Sequence, residues 1–168
     1  VTQGQCPLSA MDKLSLYWSD LTAPNSIVIS NVAGEEAGSA VDKAIRLWNI
    51  EPYWVEAKPE QCGVINSYAQ SNQLGPDRWA AVIGAKTLQM GNLVTVCSGT
   101  ATTIHGVTEG GVFIGGLIIP GYDLIHQSLG SNAAHLSDAE GQFSNFPVTT
   151  RDAITSGDDN TAVGYQAL

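Results

Sequence analysis

The chain has 168 residues, 43% of them hydrophobic and 14% charged, which excludes a disordered tail and leaves room for one domain or two small lobes. Seven basic residues stand against 16 acidic ones, a net charge of -9. That balance argues against nucleic acid or an anionic membrane as partner, because both call for clustered Lys and Arg.

Cys6, Cys62 and Cys97 are scattered, odd in number and free of any C-x-x-C spacing, so neither a zinc site nor a disulfide framework is indicated. A reducing cytoplasm is the compartment expected. No apolar run approaches membrane-spanning length. The first residues, Val1 to Gln5, lack the basic and apolar parts of a signal peptide and lack an initiator Met.

The predicted elements begin with a short helix over Met11–Leu21. Ser26–Ser30 reads as a short buried strand in a parallel sheet. Gly34–Asn49 reads as a helix with Ala37, Ala40, Val41, Ala44, Ile45 and Trp48 on one face. Pro52–Val55 is a second strand, so the order is strand–helix–strand, a βαβ unit. Lys58–Leu74 is polar and reads as mostly irregular, a long connection of the kind that often carries function. A helix runs from Gly75-Pro76-Asp77-Arg78-Trp79 to Leu88, with Pro76 in its first turn. Gly91-Asn92 ends it and marks the expected lobe boundary.

The stretch Leu93–Gly121 follows as two consecutive hairpins. Leu93–Cys97 is a strand, Ser98–Thr102 a small hydroxyl-rich turn and Thr103–Val107 a second strand. Thr108–Gly111 turns the chain into a third strand, Val112–Ile119. Gly115-Gly116 inside that strand marks a bulge, or a place where a ligand or another backbone comes close. Helices are predicted over Tyr122–Leu129 and from Thr149 to Gly157, separated by polar sequence.

Several residues could carry chemistry. Asp77 at a helix start can accept a proton from a substrate hydroxyl or simply cap the helix. Arg78 can hold a carboxylate or phosphate by two parallel hydrogen bonds, or make a surface ion pair. Ser98, Thr100, Thr102 and the Gly99 N–H could bind phosphate, although hydroxyl-rich turns are common between strands. Cys97 has no base beside it and reads as a buried structural thiol. His105, His126 and His135 have no metal-ligand spacing and read as structural or surface residues.

Taken in order, several short motifs resemble the type III pantothenate kinases, also described as the Bvg accessory factor family. They are Gly63-Val64 through Tyr68-Ala69, Leu74-Gly75-Pro76-Asp77-Arg78-Trp79, Gly84-Ala85 and Gly99-Thr100-Ala101-Thr102-Thr103-Ile104. Gly115-Gly116-x-Ile118-x-Pro120-Gly121 and Thr150-x-x-Ala153-Ile154-x-x-Gly157 complete the set. Ser30-Asn31-Val32 is similar to the family's first-lobe strand end.

The resemblance implies an α/β fold of the actin-like ATPase, ribonuclease H-like group with two lobes. Residues 1–91 would be the remainder of the first lobe and residues 92–168 the second, with the chain incomplete at both ends. It implies ATP-dependent phosphorylation of pantothenate to 4′-phosphopantothenate, the first step of coenzyme A biosynthesis, by a cytoplasmic homodimer. A non-catalytic binding or regulatory member of the same family is the alternative. Asp77 matches the family's general base. Tyr68, Gly75, Pro76, Asp77, Arg78 and Thr150 match substrate-binding positions; Thr100, with Gly99 and Ser98, matches the ATP-binding segment. The cofactors implied are ATP with a divalent cation, Mg2+, and a monovalent cation, K+ or NH4+.

The sequence departs from the family pattern in four respects. The phosphate-binding Asp-x-Gly-Asn-Thr turn does not occur. Cys97 stands where the family's monovalent-cation Asp is usual, and thiol sulfur is a poor ligand for a hard cation. His105 stands at the usual Asp after Thr-Ile, and the chain stops before the family's final helical region.

Overall fold

The computed structural model describes residues 3–121, 123–125, 128, 141–153 and 155–156 as a mixed α/β protein. The chain packs as two compact units, one from residues 1–59 and 68–80, the other from residues 60–67 and 81–168. The changeover after Ala80 falls inside a helix, upstream of the expected boundary at Gly91-Asn92.

In the first unit a 3-10 turn, Leu8–Lys13, leads into helix α1, Leu14–Trp18. Strand β1 (Val28–Ile29) is followed by helix α2 (Glu35–Ile45) and strand β2 (Tyr53–Trp54). β1 and β2 pair in parallel, so the predicted βαβ unit is present. Val28 is 67% exposed, however, so β1 is not the buried strand its apolar sequence predicts. Two strands cover too little of each other to enclose every side chain. The apolar face of α2 packs as the 3.6-residue period requires, with Ala37, Ala44 and Ile45 buried beside Leu14 of α1. Trp18 stacks on Trp48 with ring centroids 5.6 Å apart, which fixes the end of α1 against the turn after α2. Asn31 sets the start of α2. Its Oδ1 accepts from the Ala33 N–H at 2.9 Å and its Nδ2 donates to the Gly34 carbonyl at 2.8 Å.

The second unit is built on a five-stranded sheet in the order β3-β4-β7-β6-β5. β3 (Glu60–Gln61) and β4 (Val64–Asn66) come from the stretch expected to be irregular, which is a correction. They form a tight hairpin with Gln61 opposite Val64, so only Cys62 and Gly63 turn the chain. Both have positive φ, 52° and 74°, the left-handed pair of a type I′ turn. Cys is an uncommon residue there, and polar strands of two and three residues carry no periodic signal. β4 then lies parallel to β7, with Asn66 opposite Phe113.

The predicted hairpins are present as β5 (Leu93–Ser98), β6 (Ala101–Val107) and β7 (Val112–Pro120), all antiparallel. The ladder shifts register between Gly106 and Val107, opposite Gly115 and Phe113. Gly115 sits at φ 114°, a conformation that L side chains rarely adopt, so the Gly pair does mark a bulge. Gly116 serves the close approach. A Cβ there would overlap the Ile104 carbonyl oxygen and lie 2.6 Å from His105 Nδ1. Val64, Val82, Val107 and Phe113 form the buried apolar centre, and His105 is buried edge-on to Phe113 at 5.8 Å.

Helix α3, Pro76–Leu88, matches its predicted span. Lys86 near its end donates to the carbonyls of Gly91 and Glu109, at 3.3 and 2.6 Å, tying the helix end to the β6–β7 turn. No helix among the described residues is long and apolar enough to cross a membrane. Residues 123–125, 128, 150–153 and 155–156 are helical, within the last two predicted helices; Thr149 is a bend ahead of the second, and the other residues of both lie outside those described.

The Cys62-Gly63 turn yields a stability prediction. Asn tolerates the left-handed conformation better than Cys. Cys62→Asn is expected to stabilise the protein by about 0.5–1 kcal/mol, read as a higher denaturant midpoint with unchanged slope. A lower midpoint would contradict the turn assignment.

Candidate functional site

The residues singled out from the sequence fall into two groups, one in each unit. In the first unit they lie on the segment 68–80. A single 3-10 turn, Ser71–Gln73, brings the chain round, and Leu74, 1% exposed, anchors it in the interior. The Gly75 carbonyl accepts from the Trp79 N–H at 3.0 Å, so Gly75 caps α3 and Pro76 opens its first turn. Trp79 is fully buried, which fixes the rotation of this turn about the helix axis.

That rotation leaves Asp77 exposed and Arg78 buried. Asp77 is exposed, and its Oδ1 folds back to 2.6 Å from where a Cβ on Gly75 would stand. Any larger residue at 75 would displace the carboxylate. Arg78 is 7% exposed, its Cδ 3.8 Å from that same Gly75 position and its guanidinium carbon 5.9 Å from the centre of the half-buried Tyr68 ring. A guanidinium over an aromatic face is held in orientation by the ring quadrupole. Tyr68, Gly75, Pro76, Asp77 and Arg78 therefore do come together, with an exposed carboxylate and a ring-stacked cation on adjacent residues.

In the second unit the β5–β6 turn carries Ser98, Gly99 and Thr100, all exposed. Ser98 pairs with Thr102 across the ladder, their hydroxyl oxygens 3.5 Å apart. Two expectations change here. Thr102 is 3% exposed, so its hydroxyl is buried rather than offered to a ligand. The Gly99 N–H donates to the Ala101 carbonyl at 3.2 Å and is engaged within the turn. What the turn presents is the Ser98 and Thr100 side chains.

Cys97 is a free thiol and is exposed, not the buried structural Cys expected. β5 is an edge strand, so an alternating pattern does not guarantee a covered face. His105 is structural, as its sequence context suggests: it is 1% exposed, with Nε2 3.0 Å from Thr103 Oγ1. His126 and His135 lie outside the described residues. Among the described residues no three His, Cys, Asp or Glu side chains group together as a metal site.

Thr150 is exposed in the first turn of the helical residues 150–153. Thr149 caps that turn. Its hydroxyl accepts from the Asp152 N–H at 3.1 Å and donates to Asp152 Oδ2 at 2.7 Å. The Thr149-x-x-Asp152 spacing is a helix-start signal legible in the sequence. Asp152 also accepts from the Gln142 N–H at 2.8 Å, while the Thr155 and Ser156 hydroxyls accept from the N–H groups of Gly141 and Ser144. The segment 141–144 is thereby laid along the helix that carries Thr150. The Gln142 N–H and the Thr149 hydroxyl hold the Asp152 carboxyl below its ordinary pKa.

The model of the type III pantothenate kinases matches residues 6–165, nearly the whole chain. The chain belongs to the type III pantothenate kinase family. Type III pantothenate kinases of Nitrosospira multiformis and Aromatoleum aromaticum are 40% and 43% identical to it, over 86% and 82% of its length. That of an Azoarcus species is 46% identical over 78%. These alignments cover 55%, 57% and 50% of the relatives, so the chain spans about half the length of the curated relatives it matches. A solved Campylobacter jejuni protein assigned to the Baf family of transcriptional activators superposes with a TM-score of 0.54. It covers 88% of this chain and 66% of its own at 22% identity, a likeness of fold alone.

The Asp152 contacts set a pH dependence. A carboxyl whose folded pKa is depressed adds stability above its unfolded value and loses it as pH falls through the folded one. An NMR titration of Asp152 should give a midpoint below that of an unperturbed Asp, and Thr149→Val should raise it. A midpoint at the ordinary value would show that the segment 141–144 is not held there.

Proposed function

We propose that the full-length protein transfers the γ-phosphoryl group of ATP to pantothenate, giving 4′-phosphopantothenate and ADP, the first step of coenzyme A biosynthesis. The observation that carries this reading is the family match over residues 6–165, with the matched Asp77-Arg78 pair held as an exposed carboxylate beside a ring-stacked cation. In this reading the fold is the actin-like, ribonuclease H-like one, with the first lobe up to residue 91 and the second from residue 92. The protein acts in the cytoplasm as a homodimer.

Asp77 orients the terminal hydroxyl of pantothenate and accepts its proton. The oxygen attacks the γ-phosphorus, the bond to the β–γ bridging oxygen breaks, and ADP leaves. Such transfers depend chiefly on positioning and charge neutralisation, which a rigid helix start supplies. Arg78 takes the pantothenate carboxylate through two parallel N–H···O bonds, and its stacking on Tyr68 limits the entropy lost on binding. Gly75, Pro76 and Thr150 contact the same substrate.

Ser98 and Thr100 hold the ATP phosphates through their hydroxyls, with Gly99 keeping the turn between them free of bulk. The divalent cation, Mg2+, arrives on the nucleotide. A protein-held K+ or NH4+ does not fit Cys97, since a thiol is a soft ligand for a hard cation.

The test couples ADP release to pantothenate in the full-length protein. Asp77→Asn is expected to lower kcat by roughly 10²–10⁴-fold with little change in the pantothenate KM. Equal activity would remove Asp77 as the base. No pantothenate-dependent ADP release from the folded wild type would sink the whole reading. Arg78→Lys keeps the charge but loses the fork, and should raise the pantothenate KM by about tenfold with kcat nearly unchanged.

A further inference from the structure

Gly121 follows β7 and is buried, and its φ lies outside the left-handed region. Its backbone conformation is therefore open to any residue, and only space requires Gly there. A Cβ at 121 would overlap the Gly99 carbonyl oxygen and stand 2.8 Å from the Thr100 carbonyl oxygen. The Gly121 N–H donates to that Thr100 carbonyl at 2.9 Å. Its own carbonyl accepts from the Ile125 N–H at 3.1 Å, so the residue joins the end of β7 to the helical residues 123–125.

The β5–β6 turn thus rests on Gly121. Both turn carbonyls face inward onto this residue, one by contact and one by hydrogen bond. The Gly99 N–H is satisfied within the turn, and the Gly121 N–H carries the β6–β7 ladder one step past the Ala101–Pro120 pair to the turn. With the Gly99 and Thr100 carbonyls held inward, the Ser98 and Thr100 side chains are left at the surface.

We infer that Gly121 is a positioning residue for the Ser98–Thr100 turn, setting the distance of that turn from the sheet and thereby its grip on the nucleotide phosphates. The inference rests on the proposed ATP-binding role of the turn. A methyl group at 121 would push the Gly99-Thr100 backbone outward by a fraction of its own diameter. Misplacement on that scale is enough to weaken a phosphate cradle, because its hydrogen bonds are short and directional.

The experiment compares Gly121→Ala with Gly116→Ala in the full-length protein. Gly116 is equally crowded, against the Ile104 carbonyl and His105, but does not touch the turn. Both substitutions should lower the melting temperature. Gly121→Ala alone should raise the KM for ATP, by about tenfold, and leave the KM for pantothenate within about twofold. Equal ATP effects in the two variants would overturn the inference, because a general loss of packing would then account for both.

A second measurement uses the wild type and does not depend on a variant folding. Exchange of the Gly121 amide, read by NMR, should slow when ATP with Mg2+ is added, because fixing the turn fixes its acceptor. Nucleotide binding without that slowing would overturn the positioning role and leave the kinase reading intact. A wild type that binds no nucleotide at all would overturn both.

Discussion

Strand β7 carries the second unit because both of its edges are in use. It pairs antiparallel with β6 along most of its length and parallel with β4 at its start. A parallel pairing needs a long crossover, and here everything from β4 to β7 is that crossover. The interior that results is small and tightly filled. Phe113 of β7 is fully buried, His105 of β6 meets it edge-on, and Gly116 lets the His ring and the Ile104 carbonyl approach where a methyl would not fit. Such packing is sensitive to single atoms, because close-packed interiors cannot relax around an added group without moving backbone.

The bulge at Gly115 has a local consequence for the same strand. Ile114 is the extra residue on β7, unpaired between the Val107–Phe113 and Gly106–Gly115 partners, and it is 65% exposed. Past the bulge the strand runs to Pro120, and Gly121 then closes against the β5–β6 turn. The adjacent glycines of this strand and its end therefore do three different jobs: a left-handed conformation at 115, room for a neighbouring strand at 116 and room for a turn at 121.

The segment 68–80 works by a different constraint. Its placement follows from one buried Trp and one buried Leu on either side of a Gly-Pro helix start. Once Trp79 faces inward, the helical rotation of 100° per residue sends Asp77 and Arg78 to different surroundings. The carboxylate stays in solvent over Gly75, and the guanidinium goes under cover onto Tyr68.

Much of this was legible in the sequence, and the reasons are local. The βαβ order, the span of α3, the hairpins from Leu93 and the Gly115-Gly116 bulge all follow from periodicity, turn chemistry and Pro or Gly punctuation. The family was legible as an ordered set of short motifs, from Gly63 to Gly157. The β3–β4 hairpin was not, because Cys-Gly is a rare pair for its turn and the strands are too short and polar to show alternation. Exposure was misjudged at Val28 and Cys97 because a residue's burial is set by its neighbours in space, and strands of small or edge position leave one side open. The same physics governs the turn at Ser98–Thr102. Its hydroxyls were visible in the sequence, but only the tertiary structure decided which of them face solvent. It did so because the ladder buries Thr102 while Gly121 holds the carbonyls of Gly99 and Thr100 inward.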